Sequence, residues 1–239
     1  MNKENKAKAK DRRAISKTTQ RIVGISVFSA LSFILALVCS PIPPVGGFLS
    51  LDVKDAIITI AAFVYGPVSA VIISFIAAAL EFLTISTTAW YGFLMNFVSS
   101  ATFSLTASLI YSRRRTFGAS LVGIYSAVAS TTAVMLLMNL FVTPWYLVYI
   151  GLPLEVARGE VARLLPYVIA PFNFAKALLN SSIIMLLYKP LSAALSKAGI
   201  GMKSSASLKW NRRSLIILLA SAVALITAVA ILITLWLKG

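Results

Sequence analysis

The chain has 239 residues, of which 59% are apolar and only 12% charged, and it has no histidine; the mean hydropathy is +0.90. A soluble domain carries roughly twice that charged share, so a water-soluble fold is excluded and a polytopic, helical inner-membrane protein is expected. The net charge of +15 would suggest nucleic acid in a soluble protein, but its placement excludes that: eight of the 22 Lys and Arg precede residue 22, three are Arg113, Arg114 and Arg115, and six lie between Lys189 and Arg213, all beside apolar runs.

Crossing the hydrocarbon core takes roughly 20 apolar residues. Residues 1–21 are a basic tail. Residues 22–40 form a first uncharged span, expected to be retained rather than cleaved, because the run is long and no small-residue cleavage site stands out. Cys39, the single cysteine, ends it and excludes an intrachain disulfide; it reads as a small buried hydrophobe. Residues 41–51 (Pro-Ile-Pro-Pro-Val-Gly-Gly-Phe-Leu-Ser-Leu) make an apolar, Pro/Gly-rich loop, which reads as a lid over a polar cavity or as a loop resting on headgroups. Asp52 and Asp55 flank the start of a short helix over 54–64, where a carboxylate satisfies orphan amides and suits the dipole. Tyr65-Gly66-Pro67 breaks it, and a third helix spans 67–85. After a loop at 86–89, spans are predicted at 91–112 and 118–142. A loop over 143–164 carries Pro144, Pro153, Glu155, Arg158, Glu160 and Arg163. A helix at 165–188 has Pro166 and Pro171 in its first turns. Residues 199–209 lie in a basic linker over 196–213, and 214–237 is a clean last span. The expected fold is therefore all-α: a six-helix membrane domain over 22–195 and one additional C-terminal transmembrane helix.

With the N-terminus inside, the inner segments hold seventeen basic residues and the outer ones three (Arg158, Arg163 and Lys238). Such a bias orients a membrane protein. It sets the N-terminus in the cytoplasm and places loops 41–52, 86–91 and 143–164, with the C-terminus, outside.

Polar groups inside a bilayer cost on the order of 3 kcal/mol at a helix centre and mark function by default. Lys176 has twelve uncharged residues on either side, too deep for easy snorkelling. Asn173 and Asn180 share its helix face. Asn139 and Asn96 stand alone in apolar spans, and Glu81 ends the third, either as a partner for Lys176 or as an interfacial charge. These groups lie toward the outer halves of their helices. With Phe48, Tyr91, Trp145 and Phe172 they describe a cavity open to the outside, suited to a planar heterocycle with alternating donors and acceptors. There is no Walker A sequence, no His or Cys cluster for a metal, and no paired acidic motif. No resident cofactor and no enzymatic activity are expected.

Several stretches carry a family resemblance. They are Phe48-Leu49-Ser50-Leu51-Asp52-Val53-Lys54-Asp55, Val64-Tyr65-Gly66-Pro67-Val68-Ser69-Ala70, Tyr91-Gly92-Phe93-Leu94-Met95-Asn96-Phe97 and Pro171-Phe172-Asn173-Phe174-Ala175-Lys176-Ala177-Leu178-Leu179-Asn180-Ser181, with Leu186-Leu187-Tyr188-Lys189-Pro190-Leu191 after the last. Over about residues 20–195 the chain resembles the substrate-binding S components of energy-coupling factor (ECF) vitamin transporters. The Pro-Phe-Asn-x-x-Lys run with Asn139 points to the riboflavin-specific members. The resemblance implies a six-helix subunit of a prokaryotic cell membrane that binds riboflavin from outside as transported ligand. Asn139, Asn173 and Lys176 would contact the flavin, and the loop around Phe48, Leu49 and Ser50 would cover it. It also implies partners: a transmembrane coupling protein and two ATP-hydrolysing subunits. Family members dock through small residues on the first helix; here the nearest matches are Ser26-x-x-x-Ala30 and Ser32-x-x-x-Ala36. The other readings are an S component for another vitamin such as folate or thiamine, a stand-alone secondary carrier, and a small lipid enzyme, for which no acidic or nucleophilic constellation is found.

Overall fold

Apolar runs separated by short Gly/Pro or polar breaks fold back on themselves, and this chain does so repeatedly. The computed structural model describes the backbone of residues 3–197 and 212–238 and the side chains of residues 18–187 and 219–237. The described helices are α1 (Lys3–Cys39), α2 (Lys54–Tyr65), α3 (Pro67–Thr84), α4 (Ala89–Arg114), α5 (Phe117–Tyr149), α6 (Leu154–Leu164), α7 (Ala170–Lys197) and α8 (Arg212–Lys238), with a π turn at Leu165–Ile169 between α6 and α7. Among the described residues there is no strand; one isolated bridge pairs Val45 with Leu49. The expected linker at 199–209 lies outside the described residues.

Among the described residues, six segments are long and apolar enough to span a membrane: Thr18–Cys39, Pro67–Thr84, Ala89–Arg114, Phe117–Tyr149, Leu154–Leu187 and Leu219–Leu237. The twelve-residue α2 is too short to do so. The core is thus α1 to α5 with the joined α6–α7, and α8 is the additional helix. Large apolar side chains such as Leu83, Val122, Phe141 and Ile226 are exposed on its outside, as suits a lipid-facing surface.

The 143–164 segment, expected as a loop, is helical. α5 runs through Pro144 to Tyr149, and α6 begins at Leu154. A proline removes one donor, but in a bundle buried in lipid the freed carbonyl is satisfied locally and the helix continues. The charges that suggested a loop are the exposed face of α6, paired at i,i+3 as Glu155–Arg158 and Glu160–Arg163, while Ala157 and Val161 are buried.

α2 is the hub. Ten of its twelve residues are buried, and it contacts α1, α3, α4 and α7; a helix apolar on every side has to be enclosed. It turns into α3 at Gly66, whose φ of 97° is open only to glycine without strain, and Pro67 at the first position of α3 accepts the missing N–H without loss.

α4 and α5 form another close pair. Ala119, Gly123 and Ala127 sit four apart on one buried stripe of α5, facing Phe103, Ala107 and Tyr111 of α4. A Cβ at Gly123 would stand 2.6 Å from the Ala107 carbonyl oxygen, a backbone atom that cannot move aside. Small residues of this kind set how closely membrane helices approach. Gly123→Leu is expected to force the two helices apart and destabilise the protein by about 2 kcal/mol or more, seen as a lower unfolding temperature in detergent. Gly118→Ala, where a Cβ meets nothing within 4 Å, should change little. Equal unfolding temperatures for wild type and Gly123→Leu would refute the close crossing.

Candidate functional site

The loop between α1 and α2 is a built element. Val45 and Leu49 exchange two backbone hydrogen bonds of 3.0 Å around Gly46 and Gly47, at φ 61° and 81°. Two consecutive left-handed residues make a tight hairpin turn. Val45 and Leu49 are buried beneath it, and Phe48, Leu49 and Ser50 reach the wall of a cavity.

That cavity encloses about 610 Å³ including its open mouth. α4 and the turn before it contribute Thr88, Tyr91, Gly92, Met95, Asn96 and Ser99; α5 contributes Met135, Asn139, Val142, Thr143 and Tyr146; α7 contributes Phe172, Asn173 and Lys176. Each set follows the three-and-four spacing of one helix face. Tyr91 stacks on Trp90 at 4.1 Å and packs near Tyr146 and Tyr149 at 6.0 and 5.9 Å, giving one side an aromatic wall. A second, more polar cavity meets the first at Ser50, Thr88 and Asn96 and runs back to Asp52 and Glu81.

The amides are held and only partly used. Asn139 is fully buried; its Nδ2 donates to the Met135 carbonyl at 2.7 Å and its Oδ1 accepts from Thr143 Oγ1 at 2.9 Å. Asn173 Nδ2 donates to the Ile169 carbonyl at 2.8 Å. Ile169 is the last residue of the π turn, in which the Ala170 N–H donates to the Leu165 carbonyl and Pro166 and Pro171 lack donors. Such turns concentrate at functional sites. An amide offers two N–H donors and a two-lone-pair oxygen. Asn139 therefore retains one N–H and one lone pair, and Asn173 one N–H and its oxygen. Lys176 Nζ lies 2.7 Å from Asp52 Oδ2 and 3.2 Å from the Ser50 carbonyl, which leaves a third N–H.

Nine of the residues singled out in the sequence meet here: Phe48, Leu49, Ser50, Tyr91, Asn96, Asn139, Phe172, Asn173 and Lys176. Three expectations are corrected. Trp145 is 54% exposed and absent from the lining, because α5 continues past Pro144 and turns it to the outside. Asn180 lies beneath the cavity: its Oδ1 accepts the Ala56 N–H at 2.9 Å, and its Nδ2 donates to the Asp52 and Lys176 carbonyls. It thus supplies the side-chain cap of α2 expected from the aspartates. Glu81 pairs with Lys54 at 2.8 Å and accepts from Asn96 Nδ2 at 2.9 Å; the partner of Lys176 is Asp52.

Asp52 does meet one orphan amide, that of Lys54 at 3.3 Å, but its main contacts are ionic. Burial raises its carboxyl, yet the Lys176 and Lys54 ammoniums outweigh that and hold it below the ordinary carboxylate range. Asp55 accepts from the Ser100 hydroxyl. The sequence reading passed over Lys54, although a lysine opening a helix bound for the core is itself the signal. It also missed Thr143 and Tyr146, which continue the Asn139 face by four and seven residues. Among the described residues, no cluster of His, Cys, Asp or Glu could hold a metal ion. The cavity offers spare amide edges, one ammonium and aromatic walls, all groups suited to holding a ligand.

Similarity to known proteins agrees with this. The chain is 31% identical over 179 residues to the riboflavin transporter RibU of Staphylococcus aureus (strain TCH60), covering 74% of this chain and 93% of that protein. It is 22% identical over 172 residues to the riboflavin transporter FmnP of Bacillus subtilis (strain 168), covering 71% of this chain and 90% of that one. A solved structure, described as the structure and mechanism of the S component of a bacterial ECF transporter, superposes with a TM-score of 0.61 at 31% identity over 74% of this chain and 98% of the other. The family model for the substrate-specific component of ECF transporters matches residues 20–188. A six-helix membrane core with a cavity beneath a hairpin loop, and a match across most of its length, make this chain a member of the ECF transporter substrate-specific components.

Proposed function

We propose that this chain is the riboflavin-binding subunit of an ECF-type importer, working with a transmembrane coupling protein and two ATP-hydrolysing subunits. The observation that carries the reading is the convergence of Asn139, Asn173 and Lys176, from two helices, on one cavity with unused donors and acceptors. A flavin's pyrimidine edge alternates carbonyls with N–H and suits those amides, and its ring system suits walls such as Tyr91, Tyr146 and Phe172. The names of the relatives point the same way. Riboflavin is cargo here and not a cofactor. The basic bias of the sequence puts the N-terminus in the cytoplasm, so the cavity opens outward under the 41–51 loop.

The small residues of α1 divide between two roles. Ser32 and Ala36 are buried within the bundle, whereas Ser26 and Ala30 are exposed on the lipid side. Only the second pair is open to a coupling protein approaching through the membrane, and small side chains there permit close helix contact.

Two predictions follow from the site and from that face. Protein purified in detergent should carry a flavin absorbance spectrum, or quench riboflavin when it is added. Asn173→Ala and Lys176→Ala should each weaken binding by roughly tenfold or more, as loss of a hydrogen bond to a buried ligand does. A colourless wild type that leaves riboflavin fluorescence unchanged would remove riboflavin as the ligand. Ala30→Trp should leave binding by the purified subunit intact while sharply reducing riboflavin uptake by cells that depend on it. Normal uptake would show that this face of α1 is not used in docking.

A further inference from the structure

Lys54 has no exposed surface and no place on the wall of the ligand cavity. A buried ammonium is tolerated only when its charge is matched, and here it is matched twice. Its Nζ lies 3.1 Å from Asp52 Oδ2 and 2.8 Å from Glu81 Oε1. Each of these carboxylates reaches on to a group that does line the cavity. Asp52 Oδ2 also accepts from Lys176 Nζ at 2.7 Å, and Glu81 Oε2 also accepts from Asn96 Nδ2 at 2.9 Å. Lys176, Asp52, Lys54, Glu81 and Asn96 therefore form one continuous chain, two cations against two anions, with a cavity residue at each end.

This arrangement fixes what the end groups present. Lys176 gives one N–H to Asp52 and one to the Ser50 carbonyl, so its third is the one left for a ligand. Asn96 gives its Nδ2 to Glu81, which leaves its carbonyl oxygen as the spare acceptor. Without Lys54, Lys176 would be the sole cation facing three buried carboxylates, Asp52, Asp55 and Glu81, and would be drawn from the cavity toward them, and Glu81 would no longer be held for Asn96.

Resting on the riboflavin reading above, we propose that Lys54 is a positioning residue of the binding site. It never touches the ligand, but by bridging Asp52 and Glu81 it sets both the direction of the Lys176 ammonium and the end of the Asn96 amide that the ligand meets.

The test uses the full chain in detergent with riboflavin fluorescence quenching as the readout. Wild type, Lys54→Met, Lys176→Met, the double variant and Lys54→Arg are compared. Lys54→Met should weaken binding by about tenfold, but by no more than about threefold when Lys176 is already Met, because part of what it sets is then gone. Lys54→Arg, which can still bridge both carboxylates, should recover most of the affinity. Wild-type affinity in Lys54→Met overturns the inference. So does an equal fold-loss in both backgrounds, which would make Lys54 a residue that only holds the fold. If Lys54→Met does not fold, Glu81→Gln replaces it and is cycled against Asn96→Ala; a smaller loss in the Asn96→Ala background supports the relay and equal losses overturn it. A wild type that binds no riboflavin defeats the riboflavin reading and this inference together, whereas a binding wild type with an indifferent Lys54→Met defeats this inference alone.

Discussion

Lys54 places an ammonium at the start of α2, wholly out of solvent, between a carboxylate from the preceding loop and one from α3. Removing one partner of such a buried set leaves an uncompensated charge and costs about 3–5 kcal/mol, so the elements that supply the partners cannot drift apart. The loop is held at Asp52, α3 at Glu81 and α7 at Lys176. Asn180 ties α7 to the same point by capping α2 at Ala56 and donating to the Asp52 carbonyl. The cavity lies against this knot, and the orientation of its floor follows from it.

The spans were legible because the bilayer imposes one rule, length and apolarity, that a sequence displays directly. The cavity was legible for a related reason: an amide or a lysine in an apolar helix has no cheap alternative to facing an interior, so Asn139, Asn173 and Lys176 announced themselves. What stayed hidden depends on the third dimension. Pro144 looked like a loop signal, but whether a proline ends a helix depends on what satisfies its neighbours. With α5 misjudged there, Trp145 was placed inside and Tyr146 overlooked. The identity of ion partners was hidden too. Asp52 and Lys176 are 124 positions apart, and no local pattern states which of two carboxylates a lysine will meet.

The additional helix α8 belongs to the same structural unit as the hairpin between α1 and α2. Ala228 and Leu232 share a buried cluster with Val45, Leu49, Phe172 and Leu179. Between α8 and the hairpin lies an apolar cavity lined in part by Val45, Leu51, Phe172, Leu232 and Trp236. The hairpin therefore has the candidate cavity on one side and α8 on the other, with Phe172 common to both. A movement of the loop would have to shift its packing on α8 as well.

During synthesis, the buried charges at the start of α2 restrict the route into the bilayer. α2 is too short to cross alone and begins with Lys54 and Asp55, while α3 carries Glu81 near its far end. Separately, each would bring charge into hydrocarbon without the partner it has in the fold. Joined through the tight turn at Gly66, they bring Lys54 within 2.8 Å of Glu81 in one hairpin, with Asp55 beside them. The buried ion pair thus favours entry of the two helices into the bilayer together, with Lys54 facing Glu81 before the rest of the bundle closes around them.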